Sequence, residues 1–121
     1  MLNFDSSTPI YLQIAEDIRQ KILSETLQAG EQIMSTTAYA TAFRINPATA
    51  GKAFAQLLDE GLIEKRRGIG MFVTEDAKER IVAKHRDAYF ETTLKPALKT
   101  ATDLGLSEAE ILAYVTQYLK H

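Results

Sequence analysis

The 121-residue chain has room for one domain with a core, or for a small domain with an oligomerisation appendage. Hydrophobic residues make up 45% of it and charged residues 25%, which is typical of a folded protein, and the lack of cysteine excludes disulfides, a thiolate nucleophile and a cysteine zinc site. The net charge of -2 does not favour a polyanion as partner, so any nucleic-acid contact has to come from a local basic patch.

The first predicted element is a helix that starts at Pro9, with Thr8 as its cap, because proline suits a first helical position. Isoleucines then recur every four residues, as expected for the buried face of a helix, while charged side chains fill the other face. We expect this helix to end before Gly30. The isoleucines of the stripe are Ile10, Ile14, Ile18 and Ile22.

The next two predicted helices are joined by a tight turn, which is the helix-turn-helix pattern. Ser35 can cap the first of them, and Asn46 followed by Pro47 is typical of a helix start at the second. Gly61 supplies the left-handed residue that commonly ends a helix. The predicted bounds are Thr36 to Phe43 for the second helix, Arg44 to Ile45 for the turn, and Pro47 to about Glu60 for the third helix.

Two short strand-like runs follow, at Leu62 to Arg66 and at Met71 to Thr74. The intervening Arg67 to Gly70 is typical of the tip of a β-hairpin. Three helices followed by a hairpin make a winged helix, so residues 1–74 are predicted to form a winged helix-turn-helix domain.

The remainder, residues 75–121, is predicted to be helical. One long segment runs from Asp76 to about Leu104 and contains Pro96, which must either kink or break it. A last helix starts after Ser107, where Ser-x-x-Glu has the spacing of a capping box. The expected fold class is therefore mostly α with a small β-hairpin: a winged helix-turn-helix followed by a two-helix dimerisation segment.

Several motifs in a fixed order carry a family resemblance. They are Pro9 to Ile14, Leu27, Ala29 to Glu31, Ile45 to Thr49, Glu60 to Ile63 and Gly68 to Val73. With these motifs the first 74 residues or so resemble the GntR family of bacterial transcription regulators, and the short tail is similar to the YtrA-like branch, which has a two-helix dimerisation segment. The resemblance implies a homodimeric, sequence-specific DNA-binding regulator that represses a transporter or similar operon.

The chain departs from the family pattern at three arginine positions. Relatives have Leu-Pro-Ser-x-Arg at the start of the second helix, where this chain has Ile33 to Thr37 and no arginine. Relatives often have two further arginines, where this chain has Pro47 and Gly51. We therefore expect base contacts that differ from those of the relatives.

DNA recognition needs cations and short polar donors, because phosphates position a protein and base edges specify the sequence. By sequence alone Ser35 is equally a helix cap and a phosphate donor, and the two roles are compatible. Asn46 is better explained as a cap. Thr49 is the best single candidate for a base contact, and the alternative is an ordinary first-turn residue. A lone lysine on a helix is usually only solvated, but the surrounding motif favours a DNA contact for Lys52, with a phosphate and not a base. The predicted DNA-binding residues are Ser35, Thr36, Thr37, Arg44, Asn46, Ala48, Thr49, Lys52, Lys65, Arg66, Arg67, Gly68 and Gly70.

The basic patch of this domain is local. Five of the seven cations in residues 1–73 lie between Arg44 and Arg67. Strand alternation allows at most two of Lys65, Arg66 and Arg67 to face DNA from one side. Arg44, in the turn, is a candidate phosphate clamp. The two glycines of the hairpin permit a close approach to DNA, but they are better explained as ordinary turn glycines.

The tail carries more apolar residues than two isolated helices can bury, which favours a symmetric dimer over packing against the winged helix. The predicted dimerisation residues are Ile81, Val82, Tyr89, Leu94, Leu98, Leu104, Ile111, Leu112, Val115, Tyr118 and Leu119. A small-molecule effector, if the protein has one, is expected in the dimer interface or between the tail and the winged helix.

Other function classes find little support in the residues. His85 and His121 are the only histidines and have no convincing partners, so we expect no enzyme, metal or cofactor. No targeting segment or membrane-length apolar run is present, which favours a cytoplasmic protein without membrane contact. The alternative function is a winged-helix protein-interaction module without specific DNA binding.

Overall fold

The computed structural model describes residues 7–120, so the predictions for residues 1–6 and for His121 lie outside the described part of the chain. The chain divides into a first unit that ends at Ala83 and a second unit that begins at Lys84. In chain order the elements are α1 (Ile10–Leu23), β1 (Gln32–Ile33), α2 (Thr36–Phe43), α3 (Pro47–Asp59), β2 (Ile63–Arg66), β3 (Gly70–Val73), α4 (Ala77–Tyr89), a π-helical turn (Phe90–Leu94), α5 (Lys95–Asp103) and α6 (Glu108–Leu119).

Helix α1 buries the isoleucine stripe that its sequence predicts, with Ile14, Ile18 and Ile22 in the core. The predicted start, however, is wrong by one residue. Pro9 is extended, with φ -54° and ψ 140°, and takes the cap position, and no side chain caps the helix. The carbonyl of Pro9 accepts the first backbone hydrogen bonds, so the proline is outside the helix and the predicted cap by Thr8 does not form.

Helices α2 and α3 form the predicted helix-turn-helix, and the predicted bounds of α2 are confirmed. The turn between them is tight because Arg44 adopts the left-handed conformation, with φ 54°. Tyr39 of α2 and Phe54 of α3 meet edge to face, with ring centroids 5.6 Å apart. Phe54 is 2% exposed, so α2 and α3 share one core with α1.

Arg19 of α1 holds the far end of α3 through Glu60. Its Nε and Nη2 atoms donate to the two carboxylate oxygens at 2.8 and 2.6 Å. The hydrogen bond to Glu60 raises the pKa of Arg19. This two-point contact fixes the direction of α3 relative to α1.

The sheet has three strands in the order β1-β3-β2, all antiparallel, whereas the sequence predicts only the hairpin β2-β3. The extra strand, β1, pairs Gln32 with Phe72 and Ile33 with Met71. Two residues are too short for a period, so the pattern of the sequence does not reveal it. The winged-helix class is confirmed, and the third strand ties the wing to the segment that leads into α2.

The first unit extends beyond the predicted boundary at residue 74. Ala77 and Ile81, on the first turns of α4, are 1% and 3% exposed and belong to the same core as α1 and α3. The prediction that Ile81 serves dimerisation is therefore wrong, because its side chain is buried within the chain.

Pro96 does not break the long helical segment, which runs from Ala77 to Asp103. A π-helical turn, Phe90–Leu94, comes immediately before Lys95 and Pro96. Proline has no N–H and its ring crowds the carbonyl four residues earlier, and a wider turn accommodates both effects.

Helix α6 begins with the predicted capping box. The side chain of Ser107 accepts from the backbone N–H of Glu110 at 3.1 Å, and the Glu110 side chain accepts from the backbone N–H of Ser107 at 3.1 Å. The hydrogen bond from the backbone N–H of Ser107 stabilises the ionised carboxylate and so lowers the pKa of Glu110, and the Ser107 side chain adds to this. Across residues 7–120 no helix has the length and apolar character that a bilayer crossing needs.

Candidate nucleic-acid interface

The start of α2 presents three hydroxyl side chains, those of Ser35, Thr36 and Thr37. Ser35 is the helix cap, since its Oγ accepts from the backbone N–H of Ala38 at 3.0 Å. A hydroxyl that accepts in this way keeps its own hydrogen for donation. Capping and phosphate contact are therefore compatible, and Ser35 and Thr37 are exposed at this end of the helix.

The start of α3 is capped by Asn46, as its sequence predicts. The Oδ1 atom accepts from the backbone N–H of Ala48 at 2.8 Å, and Pro47 takes the first helical position. Ala48 is exposed and Thr49 is half-buried. A helix-turn-helix reads DNA with this end of its second helix, so these side chains stand where base contacts are made in that class.

Lys52 lies one turn further along α3 and is exposed. Its Nζ atom sits 4.3 Å from the ring centroid of Tyr11, which belongs to α1. This cation–π contact restrains the lysine side chain while leaving its charge available for a phosphate. Sequence reasoning missed Tyr11, because only the packing of α1 against α3 brings the ring to this lysine.

The wing places its cations on different faces. Lys65 pairs with Met71 and Arg66 pairs with Gly70, so their side chains alternate across the sheet. The guanidinium carbon of Arg66 lies 4.1 Å from the ring centroid of Phe72, and its Nη2 atom donates to Glu64 at 3.1 Å. Arg66 is thus partly neutralised within the chain, whereas Lys65 faces the helices.

Arg67 and Gly68 form the exposed turn of the wing. Gly68 has φ 77°, and nothing lies within 4 Å of the place where a Cβ atom would be. Arg44, at the turn between α2 and α3, is also exposed.

Gly70 serves a purpose that the sequence does not reveal. A Cβ atom at this position would lie 2.7 Å from the Nε2 atom of Gln32, and its φ of 141° is rarely adopted by other residues. The space beside Gly70 is therefore filled by the Gln32 side chain. Gln32 is a second residue that sequence reasoning missed, because it belongs to the strand that the pattern does not predict.

A groove of about 480 Å³ brings the start of α2, the outer face of α3 and the wing together. Helices α2 and α3 approach closely where they line the groove, since the Cβ position of Gly51 lies 3.7 Å from the Thr36 side chain. Among the predicted DNA-binding residues, the lining includes Ser35, Thr36, Thr37, Lys65 and Gly70.

The second unit leaves its apolar side chains uncovered. No residue between Lys84 and Lys120 is buried, and only Leu94, Ala101 and Ile111 are half-buried. The predicted dimerisation residues with the largest exposed fractions are Leu104 at 75%, Tyr118 at 75%, Leu119 at 74%, Leu112 at 56% and Tyr89 at 50%; Leu98, Val115 and Val82 are exposed by 41%, 46% and 37%.

The described residues hold no group of three or more histidine or acidic side chains placed to bind a metal ion. Two helices joined by a tight turn, a third supporting helix and a basic wing define the class of winged helix-turn-helix DNA-binding proteins.

Within that class, residues 10–73 match the family of bacterial regulatory proteins, gntR family, and the chain belongs to this family of transcription regulators. It is 34% identical to the HTH-type transcriptional regulator YhcF of Bacillus subtilis over 109 residues, or 90% of this chain and 88% of YhcF. It is 39% identical to the HTH-type transcriptional repressor YtrA of the same organism over 77 residues, or 64% of this chain and 59% of YtrA. The chain is a YtrA-like member of the family.

Two solved structures agree with this assignment. A GntR family transcriptional regulator from Listeria monocytogenes has 34% identity and a TM-score of 0.71, with 94% of this chain and 98% of that one covered. The DNA-binding domain of AraR in complex with its operator ORR3 has 26% identity and a TM-score of 0.54, with 61% of this chain and 89% of that one covered. The protein is thus a DNA-binding transcription regulator and not an enzyme.

Proposed function

We propose that the protein is a repressor that binds, as a homodimer, an operator made of two half-sites and so controls a transporter or similar operon. The observation that carries this proposal is the contrast within one chain between a closed winged-helix core and a helical unit in which no residue from Lys84 to Lys120 is buried. The winged helix can bind DNA, and the helical unit can hold two copies of the chain together.

For DNA, the proposal assigns the start of α3 to the major groove. Thr49 contacts a base edge, and Ala48 offers a methyl group to thymine. Lys52 on α3 and Arg67 on the wing contact phosphates, since both are exposed and neither forms an ion pair among the described residues. Arg66 contributes less, because Glu64 and Phe72 already engage its guanidinium group.

For assembly, the proposal assigns the uncovered apolar side chains of α5 and α6 to a second copy of the chain. A symmetric pair buries the same patch on both copies. It also presents two winged helices to half-sites one helical turn or more apart, which supplies the specificity that one small domain lacks.

Repression rests on the relatives. YtrA of Bacillus subtilis is named a transcriptional repressor, and the structure of the AraR DNA-binding domain contains an operator. A dimer that covers an operator near a promoter blocks polymerase, and regulation of a transporter operon is the function that the YtrA-like branch implies.

Titration of the full-length protein into duplexes from the region that flanks its gene tests the proposal, with fluorescence anisotropy at several salt concentrations. We expect one duplex to bind at least about 1000-fold more tightly than a scrambled duplex. Lys52→Ala should weaken binding and reduce the slope of log K against log salt by about 0.9 for each copy's lost phosphate contact. Lys99→Ala is the matched control, because Lys99 pairs with Asp103 on the surface of the second unit.

Thr49→Ala should change the order of preference among duplexes that differ at one base pair. Equal, weak and salt-erased binding to every duplex would overturn the operator function and favour the protein-interaction module. Unchanged salt dependence in Lys52→Ala would overturn the assignment of Lys52.

A further inference from the structure

Gln32 connects the segment before α2 to the tip of the wing. Its Nε2 atom donates to the carbonyl oxygen of Ile69 at 3.0 Å, across 37 positions of sequence. Ile69 is 64% exposed and closes the hairpin turn, with its own N–H donating to the carbonyl of Arg66 at 2.9 Å. The tip is therefore tied both to its own hairpin and to β1.

This contact depends on Gly70. The Gln32 side chain passes over Gly70, where a Cβ atom would lie 2.7 Å from the amide nitrogen and would have to displace it. No other described side chain donates a hydrogen bond to the backbone of the turn, residues 67–70. Gln32 thus supplies the hydrogen bond to the tip, and Gly70 leaves the space that this side chain needs.

We propose that Gln32 is a positioning residue for DNA recognition, which holds the wing tip at a fixed place relative to the start of α2. The proposal rests on the proposed function, since it assumes that the wing contacts DNA. Gln32 itself does not contact DNA. It acts through Ile69 on the adjacent Arg67 and Gly68.

The placement of Gln32 makes this role effective. It lies three residues before Ser35, and Gln32, Ser35 and Ile69 all line the groove between the wing and the helices. A hairpin tip without such a tie samples many positions, and ordering it on DNA costs conformational entropy. A tip that is already held loses less entropy on binding, so the contribution of Arg67 to affinity is larger.

The first experiment removes the hydrogen bond without removing the side-chain volume. In Gln32→Met, NMR order parameters of the Ile69 and Gly70 amide groups should fall from about 0.85 to below about 0.6. Gln20→Met is the matched control, because Gln20 is exposed on α1, and it should leave these values unchanged. Unchanged order parameters in Gln32→Met would overturn the proposal without reference to any DNA.

The second experiment is a double-mutant cycle on operator affinity. We expect Gln32→Met to weaken binding by about fivefold, as for the loss of one hydrogen bond. Arg67→Ala should cost less in the Gln32→Met background than in the wild type, whereas Lys52→Ala on α3 should cost the same in both. A purely structural role for Gln32 would change the two costs alike.

The outcomes separate this inference from the proposed function. If the wild type binds its operator but the costs of Gln32→Met and Arg67→Ala are additive, the positioning role is wrong and the operator function stands. If the wild type prefers no duplex, the operator function fails, and with it the role of Gln32 in recognition.

Discussion

The two units of the chain are built from similar helices but use them differently. Among residues 7–120, every buried hydrophobic residue lies at or before Ile81, and the apolar faces of the helices in the first unit pack against one another. In the second unit α6 also has an apolar sequence, yet none of its residues is buried. Its side chains Tyr114, Tyr118 and Leu119 are more than 70% exposed.

The difference teaches that an amphipathic pattern specifies a face, not its partner. In the first unit the partner is in the same chain, because α3 packs against α1, α2 and β2 and their apolar side chains form one core. In the second unit, residues 84–120 do not bury one another's apolar side chains. We therefore expect the stability of the first unit to be independent of protein concentration and that of the second to depend on it.

The largest expected effect is on the core of the first unit. Phe54→Ala should lower the free energy of unfolding by about 3–5 kcal/mol, because it leaves a cavity among α1, α2 and α3. Urea denaturation of the full chain, followed by circular dichroism, measures the loss. Phe90→Ala is the control in the second unit, where Phe90 is 64% exposed, and it should cost less than about 1 kcal/mol. Equal losses of unfolding free energy in the two variants would contradict the conclusion that, within residues 7–120, only the first unit has a buried core.

Next in size is an effect on assembly. Leu112→Glu together with Val115→Glu should raise the dimer dissociation constant by at least about 100-fold, because charges would be buried in the interface. Sedimentation velocity of the wild type and the variant measures this. Ile69→Glu adds a charge at an equally exposed apolar position of the first unit and should leave the dimer intact. A wild type that is monomeric at micromolar concentration would contradict the proposed dimer.

The next effect is on the free energy of unfolding, and it is tested with one ion pair from each unit. Arg19→Ala should destabilise the first unit by about 1–3 kcal/mol, because the hydrogen bonds to Glu60 are bidentate and partly shielded from water. Lys99→Ala breaks the exposed pair with Asp103 and should cost less than about 0.5 kcal/mol. Thermal or urea unfolding of both variants decides the matter, and a larger loss in Lys99→Ala would reverse the prediction.

The smallest effect concerns Tyr39, whose hydroxyl is buried and has no hydrogen-bond partner among the described residues. Burial raises its pKa to about 12, and the charge of Asp17 adds to this. In the unfolded chain the Tyr39 hydroxyl titrates near pH 10. Between pH 10 and 12 only the unfolded state releases this proton, so the free energy of unfolding of the wild type falls as the pH rises.

Tyr39→Phe lacks this proton. At pH 8 its free energy of unfolding should lie within about 1 kcal/mol of that of the wild type. By pH 11 this free energy should have risen by about 1 kcal/mol relative to the wild type. Urea denaturation at pH 8, 10 and 11 tests the trend. A difference between the two proteins that stays constant over this range would show that Tyr39 is not shielded from water in the folded state.

Local signals predicted much of the fold. Ser35, Asn46 and Ser107 each cap the helix that their sequence context indicates, because capping depends on residues within four positions of each other. The start of α1 at Ile10 differs by one residue, since proline is compatible with both the cap and the first turn.

The candidate site was less accessible to such reasoning. The residues at the starts of α2 and α3 lie where the helix-turn-helix pattern predicts, and strand alternation separates Lys65 from Arg66 as expected. The contact of Lys52 with Tyr11 spans 41 positions and leaves no local trace. The contact of Gln32 with Ile69 depends on a strand of two residues.

The sequence by itself determined the order of helices and wing, the caps that start α2, α3 and α6, and the family to which the chain belongs, because these follow from period and local chemistry. The tertiary structure alone decided that Ile81 is core and Leu112 is surface, that Arg66 is engaged within the chain, and that Gly70 makes room for Gln32. Each of these depends on which residues distant in sequence pack together, and the period of a single helix or strand carries no such information.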